Sequence, residues 1–184
     1  MDPRPLNLKP FLAIAALALW IAPASAQDRL DSLFDALRTA QGSDAEQIAG
    51  KIASEWSKSG SPTLDYLLDR GRAALDEGET ARAIFHLGAA IDHAPDFAEG
   101  YNLRATAYFL EGQFGPALED IRRALTLNPR HFGAMTGLAV ILQDIGEPEA
   151  ALEVWRSVAR LYPANPQAEM AIPKLEREVD GLPL

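Results

Sequence analysis

Apolar residues between Ala98 and His131 fall at helical spacing in two runs. Gly112 separates the two runs, and Pro129 follows the second. Glycine adopts the left-handed conformation that ends a helix before a tight turn, and proline lacks the N–H that a continuing helix needs. The stretch therefore predicts two amphipathic helices joined by a short turn.

The same skeleton recurs on both sides of this stretch at a fixed offset of 34 residues. Each copy has a glycine at the turn, an alanine early in its second helix and a proline behind that helix. These residues are Gly78, Gly112 and Gly146, then Ala83, Ala117 and Ala151, and finally Pro95, Pro129 and Pro163. Three residue types at one period indicate an internal repeat, and one helix pair cannot cover its own apolar face. Neighbouring pairs must therefore stack.

The repeats resemble those of the tetratricopeptide repeat family. With Ala98 as the first position, the pattern of that family falls on Tyr101, Arg104, Ala105, Tyr108, Ala117, Ile121, Ala124 and Pro129. The resemblance implies an all-α fold, an α-solenoid built as a right-handed superhelical stack of antiparallel helix pairs. Its three repeats would occupy residues 64–97, 98–131 and 132–165. Arginine at the seventh position of two repeats departs from the family pattern.

The segment before the repeats predicts a further helix pair. Residues 27–61 carry apolar residues at helical spacing and resemble a degenerate repeat. Within this segment, Ser43 and Glu46 have the spacing of a capping box that opens the second helix. We expect the pair to act as an N-terminal cap that shields the first repeat from solvent.

The segment behind the repeats predicts one more helix. Residues 166–184 begin with Pro166 directly behind Asn165, which is the arrangement of an N-cap followed by proline at the first helical position. Pro173 predicts a kink or a restart within the helix. We expect this segment to act as a C-terminal capping helix.

Residues 1–26 have the composition of a cleaved export signal. The start is basic, an apolar run of eleven residues follows at 11–21, and small residues lie at 24–26. A membrane-spanning helix needs about 20 apolar residues, so this run is short for a span. We therefore expect a signal peptide that is removed before Gln27 and a bacterial protein secreted into the periplasm, with no stable membrane insertion afterwards. An uncleaved membrane anchor is the alternative.

Charge and composition exclude several classes of partner. The chain has 184 residues, a net charge of −9 and no cysteine. An acidic chain does not favour nucleic acid or anionic membrane surfaces, both of which attract basic patches. Without cysteine there is no disulfide, no thiol nucleophile and no cysteine for lipid attachment.

No residue pattern indicates catalysis or a bound cofactor. His86 and His93 lie on one predicted helix, but a spacing of seven residues separates them by roughly 10 Å, which is too far to share one metal ion. The spacings typical of zinc proteases, serine hydrolases and phosphate-binding loops do not occur. We therefore expect no metal, no cofactor and no enzyme activity.

The resemblance also implies a concave, partner-binding surface. It consists of one face of the first helix of each repeat and holds a mixture of polar and apolar residues, with Phe109 as an aromatic anchor. These residues are Leu68, Arg72, Asn102, Thr106, Phe109, Thr136, Val140 and Gln143. Such a surface can hold an extended segment or a helix of a partner protein. Alternatively, part of it is only solvated, or is filled by the C-terminus of the chain itself.

One binding mode of the family is not implied. Its chaperone-binding members clamp the terminal carboxylate of a peptide with lysine, asparagine and arginine. The matching positions here hold Leu68, Arg72, Leu103, Gly133 and Gly137, and only the arginine could contact a carboxylate. The function that the sequence favours is a periplasmic protein-interaction scaffold with a protein or peptide partner. A self-assembling structural protein of the cell envelope is the alternative, so a homo-oligomer is also possible.

Overall fold

The computed structural model describes residues 24–181, and its regular structure there is helical throughout. The helices are α1 (Ala24–Leu37), α2 (Gly42–Trp56), α3 (Pro62–Asp76), α4 (Thr80–His93), α5 (Ala98–Leu110), α6 (Phe114–Leu127), α7 (Phe132–Asp144), α8 (Pro148–Leu161) and α9 (Pro166–Val179). Helices α3 to α8 form three antiparallel pairs that stack on one another, and α9 packs on α8. The predicted all-α stack of helix pairs is confirmed.

The three repeat glycines form the turns within the helix pairs. The backbone φ angle is +72° at Gly78, +70° at Gly112 and +79° at Gly146, which is the left-handed region predicted for all three. A residue with a Cβ atom is strained there, whereas glycine is not. The regular 34-residue spacing of these glycines therefore gives the three pairs equivalent turns.

Small residues allow close contact between the helices of a pair. An ideal Cβ atom placed on Gly71 of α3 would lie 2.5 Å from Cδ2 of Leu87 on α4. Leu87 is fully buried, as is Ala83 one turn earlier on the same helix. The glycine is therefore required by the packing of the first repeat.

The unusual arginine of the second repeat forms a largely buried ion pair. Arg104 on α5 donates from Nε to Asp120 Oδ2 at 2.7 Å and from Nη2 to Asp120 Oδ1 at 2.8 Å. Asp120 on α6 is only 4% exposed. The pair ties the two helices of the repeat together, and a two-bond geometry of this kind is the strongest form of an arginine–carboxylate contact.

Helix α9 extends the stack by one helix. Asn165 caps its N-terminus by accepting a hydrogen bond from the backbone N–H of Ala168 at 2.9 Å, as the sequence predicts. Leu175 is buried in a cluster with Trp155 of α8. The helix continues through Pro173 as one element, so it does not restart there.

The N-terminal hairpin, α1 and α2, does not cap the first repeat, which corrects the sequence prediction. Its buried residues Phe34 and Ile52 form one cluster with Tyr162 and Ala164, which lie in the loop between α8 and α9. Phe132 at the start of α7 packs against the same cluster. The hairpin therefore lies along the edge of the stack formed by the inter-repeat loops, and its apolar face packs on the third repeat.

The predicted capping box in this hairpin is also wrong. Helix α2 begins at Gly42 with Gln41 as its N-cap, and no side chain caps it. Gly42 has a φ angle of +53°. The helix therefore starts two residues earlier than a Ser43 cap would place it, and Ser43 lies inside the first turn, where it cannot act as the cap.

The predicted signal peptide lies mostly outside the described residues. Of residues 1–26, only the last three are described, and α1 begins there at Ala24. Within residues 24–181, the helices are all too short or too polar to span a membrane.

Candidate protein-binding groove

A cavity of about 320 Å³ lies between α5, α7 and the first turn of α9. We call it the groove cavity. Its lining is mostly apolar, and α6 contributes Ile121 in addition to the residues of these three helices. The lining residues are Asn102, Ala105, Thr106, Phe109, Ile121, Gly133, Thr136, Gly137, Val140, Ile141 and Gln167.

Two glycines of α7 leave the space that forms this cavity. Gly133 and Gly137 lie one turn apart on the helix face that borders the cavity. A Cβ atom on Gly137 would lie at an ordinary contact distance, 3.5 Å, from Cδ1 of Ile121. The position therefore tolerates a side chain sterically, and the side chain's outer atoms would fill part of the cavity.

An aromatic ring and a few polar groups surround the apolar part of the groove cavity. The ring of Phe109 is half-buried and packs on the ring of Phe114, with centroids 6.0 Å apart. Asn102, Thr106 and Thr136 provide amide and hydroxyl groups at the rim. Of the described residues that line the cavity, all are uncharged, so the site favours an uncharged apolar group.

Five of the eight predicted groove residues come together around this cavity. They are Asn102, Thr106, Phe109, Thr136 and Val140. The remaining three lie elsewhere. Gln143 lies at the far end of α7, where its Oε1 accepts a hydrogen bond from Nε1 of the buried Trp155 at 2.7 Å.

The prediction that Leu68 contacts a partner is wrong. Its side chain is fully buried in the cluster between α3, α4 and α5, together with Leu64 and Leu87. The family pattern places this position on the concave side of the helix. In this chain, however, neighbouring side chains cover it completely.

Arg72 is also unavailable as an open groove residue, because its guanidinium group is already engaged. Nη2 donates to Oγ of Ser57 at 2.7 Å and to Oε1 of Glu99 at 3.1 Å. The linker between α2 and α3 binds the same helix a second time, since the N–H of Ser59 donates to Oδ1 of Asp65 at 3.3 Å. The end of the hairpin therefore occupies the first-repeat side of the groove.

Glu99 and His131 form a buried polar centre that sequence reasoning missed. The two side chains are among the few buried polar groups of the described chain. Nε2 of His131 lies 3.0 Å from Oε2 of Glu99, and Nδ1 accepts from the N–H of Ala134 at 3.2 Å. Because Nδ1 is an acceptor, the neutral imidazole carries its hydrogen on Nε2 and donates it to Glu99.

The charge of Glu99 is stabilised in this position. Burial alone raises the pKa of Glu99, but the hydrogen bonds from His131 and Arg72 and the charge of Arg72 outweigh it and hold the pKa below its ordinary value. Nδ2 of Asn102 donates a further hydrogen bond to Oε2, at 3.1 Å. Asn102 thus connects the polar centre to the groove cavity.

No local sequence signal marks Glu99 and His131, because their partners lie far away in sequence. Gln167 was missed for a different reason. It lies 34 residues after Gly133, so the repeat period alone places it at the groove position of α9. Within residues 24–181, no group of three or more potential ligand side chains is arranged to hold a metal ion.

The stacked helix pairs and their concave cavity define a helical-repeat protein. The model of the tetratricopeptide repeat family matches residues 98–131. A TPR repeat-containing protein of Rhizobium etli is 36% identical over 182 residues, which cover 96% of this chain and 89% of the relative. This chain belongs to the tetratricopeptide repeat family, whose domains are protein–protein interaction modules.

Solved structures show the same fold. The first TPR domain of Spaghetti (RPAP3), bound to the HSP90 peptide SRMEEVD, has a TM-score of 0.62 and 23% identity. That match covers 65% of this chain and 95% of the domain. The MamA protein has a TM-score of 0.60 and 23% identity, over 86% of this chain and 84% of MamA. At these identities the similarity establishes the fold alone.

Proposed function

We propose that this protein is a periplasmic scaffold that binds a segment of a partner protein in the groove cavity and performs no catalysis. The observation that carries the proposal is the convergence of five predicted groove residues around one cavity of about 320 Å³. They come from two different repeats, α5 and α7, and only the stacking of these helices brings them together.

The shape and chemistry of the cavity suggest what the partner presents. Ligand pockets span roughly 300–1,000 Å³, so this one is at the small end of the range and suits one large apolar side chain. Asn102, Thr106 and Thr136 can form hydrogen bonds with the backbone on either side of that side chain. Because the lining is uncharged, an apolar side chain on an extended segment fits better than an acidic peptide terminus.

The hairpin limits the length of the bound segment. Ser57 and Ser59 contact Arg72 and Asp65 and occupy the first-repeat side of the groove. The open part therefore extends from α5 to the first turn of α9. A short extended segment can use that length, whereas a long helix lying along all three repeats would collide with the linker.

Photo-crosslinking from inside the cavity tests this function. One variant carries a photoreactive amino acid in place of Thr136, which lines the cavity. A second variant carries it in place of the exposed Glu119 of α6, which lies outside the cavity. Each is combined with Gly137→Leu, which fills the cavity, or with Gly115→Leu. The second substitution is a matched control, because nothing lies within 4 Å of a Cβ atom on Gly115 of α6.

We expect one partner protein to be crosslinked from Thr136 and not from Glu119. Gly137→Leu should abolish that crosslink, and Gly115→Leu should leave it unchanged. Mass spectrometry of the crosslinked peptide identifies the bound segment, in which we expect a large apolar residue. Equal crosslinking in both glycine variants would mean that the cavity is not the binding site.

The periplasmic location rests on the sequence pattern at the N-terminus. We propose that residues 1–26 direct export and are removed, so that the mature protein begins at Gln27. Cell fractionation followed by mass spectrometry of the intact protein tests this. A mass that includes Met1, found in the membrane fraction, would instead show an uncleaved anchor.

A further inference from the structure

Within residues 24–181, each end of the helix stack presents an uncovered helix face. At the N-terminal end, the outer face of α3 is open because the hairpin packs on the third repeat. Tyr66 on this face is 63% exposed, and the side chain of Asp69 is 76% exposed. At the C-terminal end, the outer face of α9 is open, and Met170 on it is 71% exposed.

The outer face of α3 is acidic. Asp69 and Asp76 lie three and ten residues after Tyr66, and Glu77 follows, so that all four share one side of the helix. Asp69 lies 3.4 Å from Nη1 of Arg72 on the same helix, and Glu77 pairs with a nearby arginine of α4. Among residues 24–181, Arg70 is the one cation beside this face that has no carboxylate within ion-pair distance. Arg72 and Arg82 also pair with Glu99 and Glu79, so they offset the charges of Asp69 and Glu77 only in part. Carboxylates are therefore in excess around Tyr66.

The outer face of α9 is basic. Lys174 and Arg177 lie four and seven residues after Met170, so they share its side of the helix. Among residues 24–181, neither cation has a carboxylate within ion-pair distance. The acidic residues of this helix, which include Glu169 and Glu178, lie on its flanks.

We infer that these two faces bind each other in separate copies of the chain, so that α9 of one copy packs on α3 of the next. The faces have opposite charge, and each has one large exposed apolar side chain at its centre, Met170 on one and Tyr66 on the other. They lie at opposite ends of the stack, so one copy does not satisfy its own two faces. The contact is therefore head-to-tail and produces a chain of copies or a ring.

The contact is weak and depends on salt. Exposed ion pairs are individually weak, and salt screens them over distances of about 8–10 Å near physiological ionic strength. In analytical ultracentrifugation, the sedimentation coefficient of the purified protein should rise with protein concentration up to about 1 mM. Added salt of about 1 M should reduce this rise, because it shortens the screening length to about 3 Å.

A charge-swap experiment tests the pairing directly. One variant carries Lys174→Glu and Arg177→Glu, so both of its faces are acidic. The other carries Asp69→Lys and Asp76→Lys, so both of its faces are basic. A third variant with Arg122→Glu, on the exposed surface of α6, is the control for a change in net charge. Circular dichroism of each variant verifies that it is folded.

Each swapped variant alone should sediment as a monomer at every concentration, because its two faces repel each other. An equimolar mixture of the two should assemble again, since acidic and basic faces then alternate along the chain. The Arg122→Glu control should behave like the unchanged protein. A concentration-independent monomer for the unchanged protein would overturn the inference, and so would assembly of either swapped variant alone. Neither result affects the proposed role of the groove cavity.

Discussion

The indole ring of Trp56 stacks on the imidazole ring of His131, with the ring centroids 4.4 Å apart and the planes inclined by 25°. Trp56 ends α2, and His131 caps the N-terminus of α7. The stack therefore joins the N-terminal hairpin to the junction between the second and third repeats. Phe132 extends this contact, since its ring centroid lies 5.0 Å from that of Trp56.

Replacing this tryptophan should release the hairpin from the stack. Trp56→Ala removes the contacts with His131 and Phe132 and should cost about 2 kcal/mol or more of unfolding free energy, since large-to-small changes of buried aromatic residues cost about 3–5. Hydrogen exchange should then speed up throughout α1 and α2. Tyr66→Ala is the control, because Tyr66 is exposed on α3 and lies outside the apolar cluster that holds the hairpin. Unchanged protection of α1 and α2 in Trp56→Ala would contradict the docking role of the stack.

The buried carboxylate of Glu99 should make stability dependent on pH. Its folded-state pKa lies below the ordinary value of 4.5, so it stabilises the fold above that pH. This contribution is lost as the pH falls through the folded-state pKa. Glu99→Gln should therefore destabilise the protein at pH 7, and its difference from the unchanged protein should narrow below about pH 4.5. Urea unfolding at a series of pH values measures both free energies.

A surface carboxylate provides the comparison for this experiment. Glu119 is exposed and pairs with Arg122 one turn away. Glu119→Gln should change the unfolding free energy little at any pH, since solvent screens an exposed ion pair almost completely. If the two glutamine variants showed the same pH profile, Glu99 would not be the group that titrates.

Breaking the ion pair between Arg104 and Asp120 should be costly, whereas replacing both residues should not. Arg104→Leu leaves a carboxylate that is 4% exposed without its partner, which should cost about 3–5 kcal/mol. The double variant Arg104→Leu with Asp120→Leu should recover most of this loss. A thermal unfolding series of the two single variants and the double variant gives the coupling energy. Additive effects of the two substitutions would show that the pair is not coupled.

Two glycines should respond oppositely to the same substitution. Gly71→Ala places a Cβ atom 2.5 Å from the buried side chain of Leu87 and should destabilise the protein by about 1–3 kcal/mol. Gly115→Ala meets nothing within 4 Å inside α6 and should stabilise it by up to about 1 kcal/mol, because alanine is the better helix former. Melting temperatures of the two variants decide this. Equal melting temperatures would contradict the packing of α3 on α4.

Much of this fold can be predicted from the sequence, because the residues that determine it act locally. The turn glycines, the prolines behind each second helix and the N-cap Asn165 act within a few residues of their own position. Their periodic recurrence therefore predicts the helix pairs and their stacking. The same period places Asn102, Thr106, Phe109, Thr136 and Val140 on corresponding faces of α5 and α7. The groove cavity could be predicted to that extent.

Only the tertiary structure decided the place of the hairpin and the extent of the open groove. The apolar residues of α1 and α2, among them Phe34 and Trp56, lie at helical spacing. This spacing shows that each helix has an apolar face, but it does not show which distant surface covers that face. The hairpin packs on the third repeat because Phe132 and Tyr162 provide an aromatic surface there. Its end then engages Arg72 and leaves the outer face of α3 uncovered. By itself, the sequence determined the repeating helix pairs, since these depend on nearby residues. Contacts between apolar and charged surfaces that are distant in the sequence determined where the hairpin packs and how much of the groove stays open.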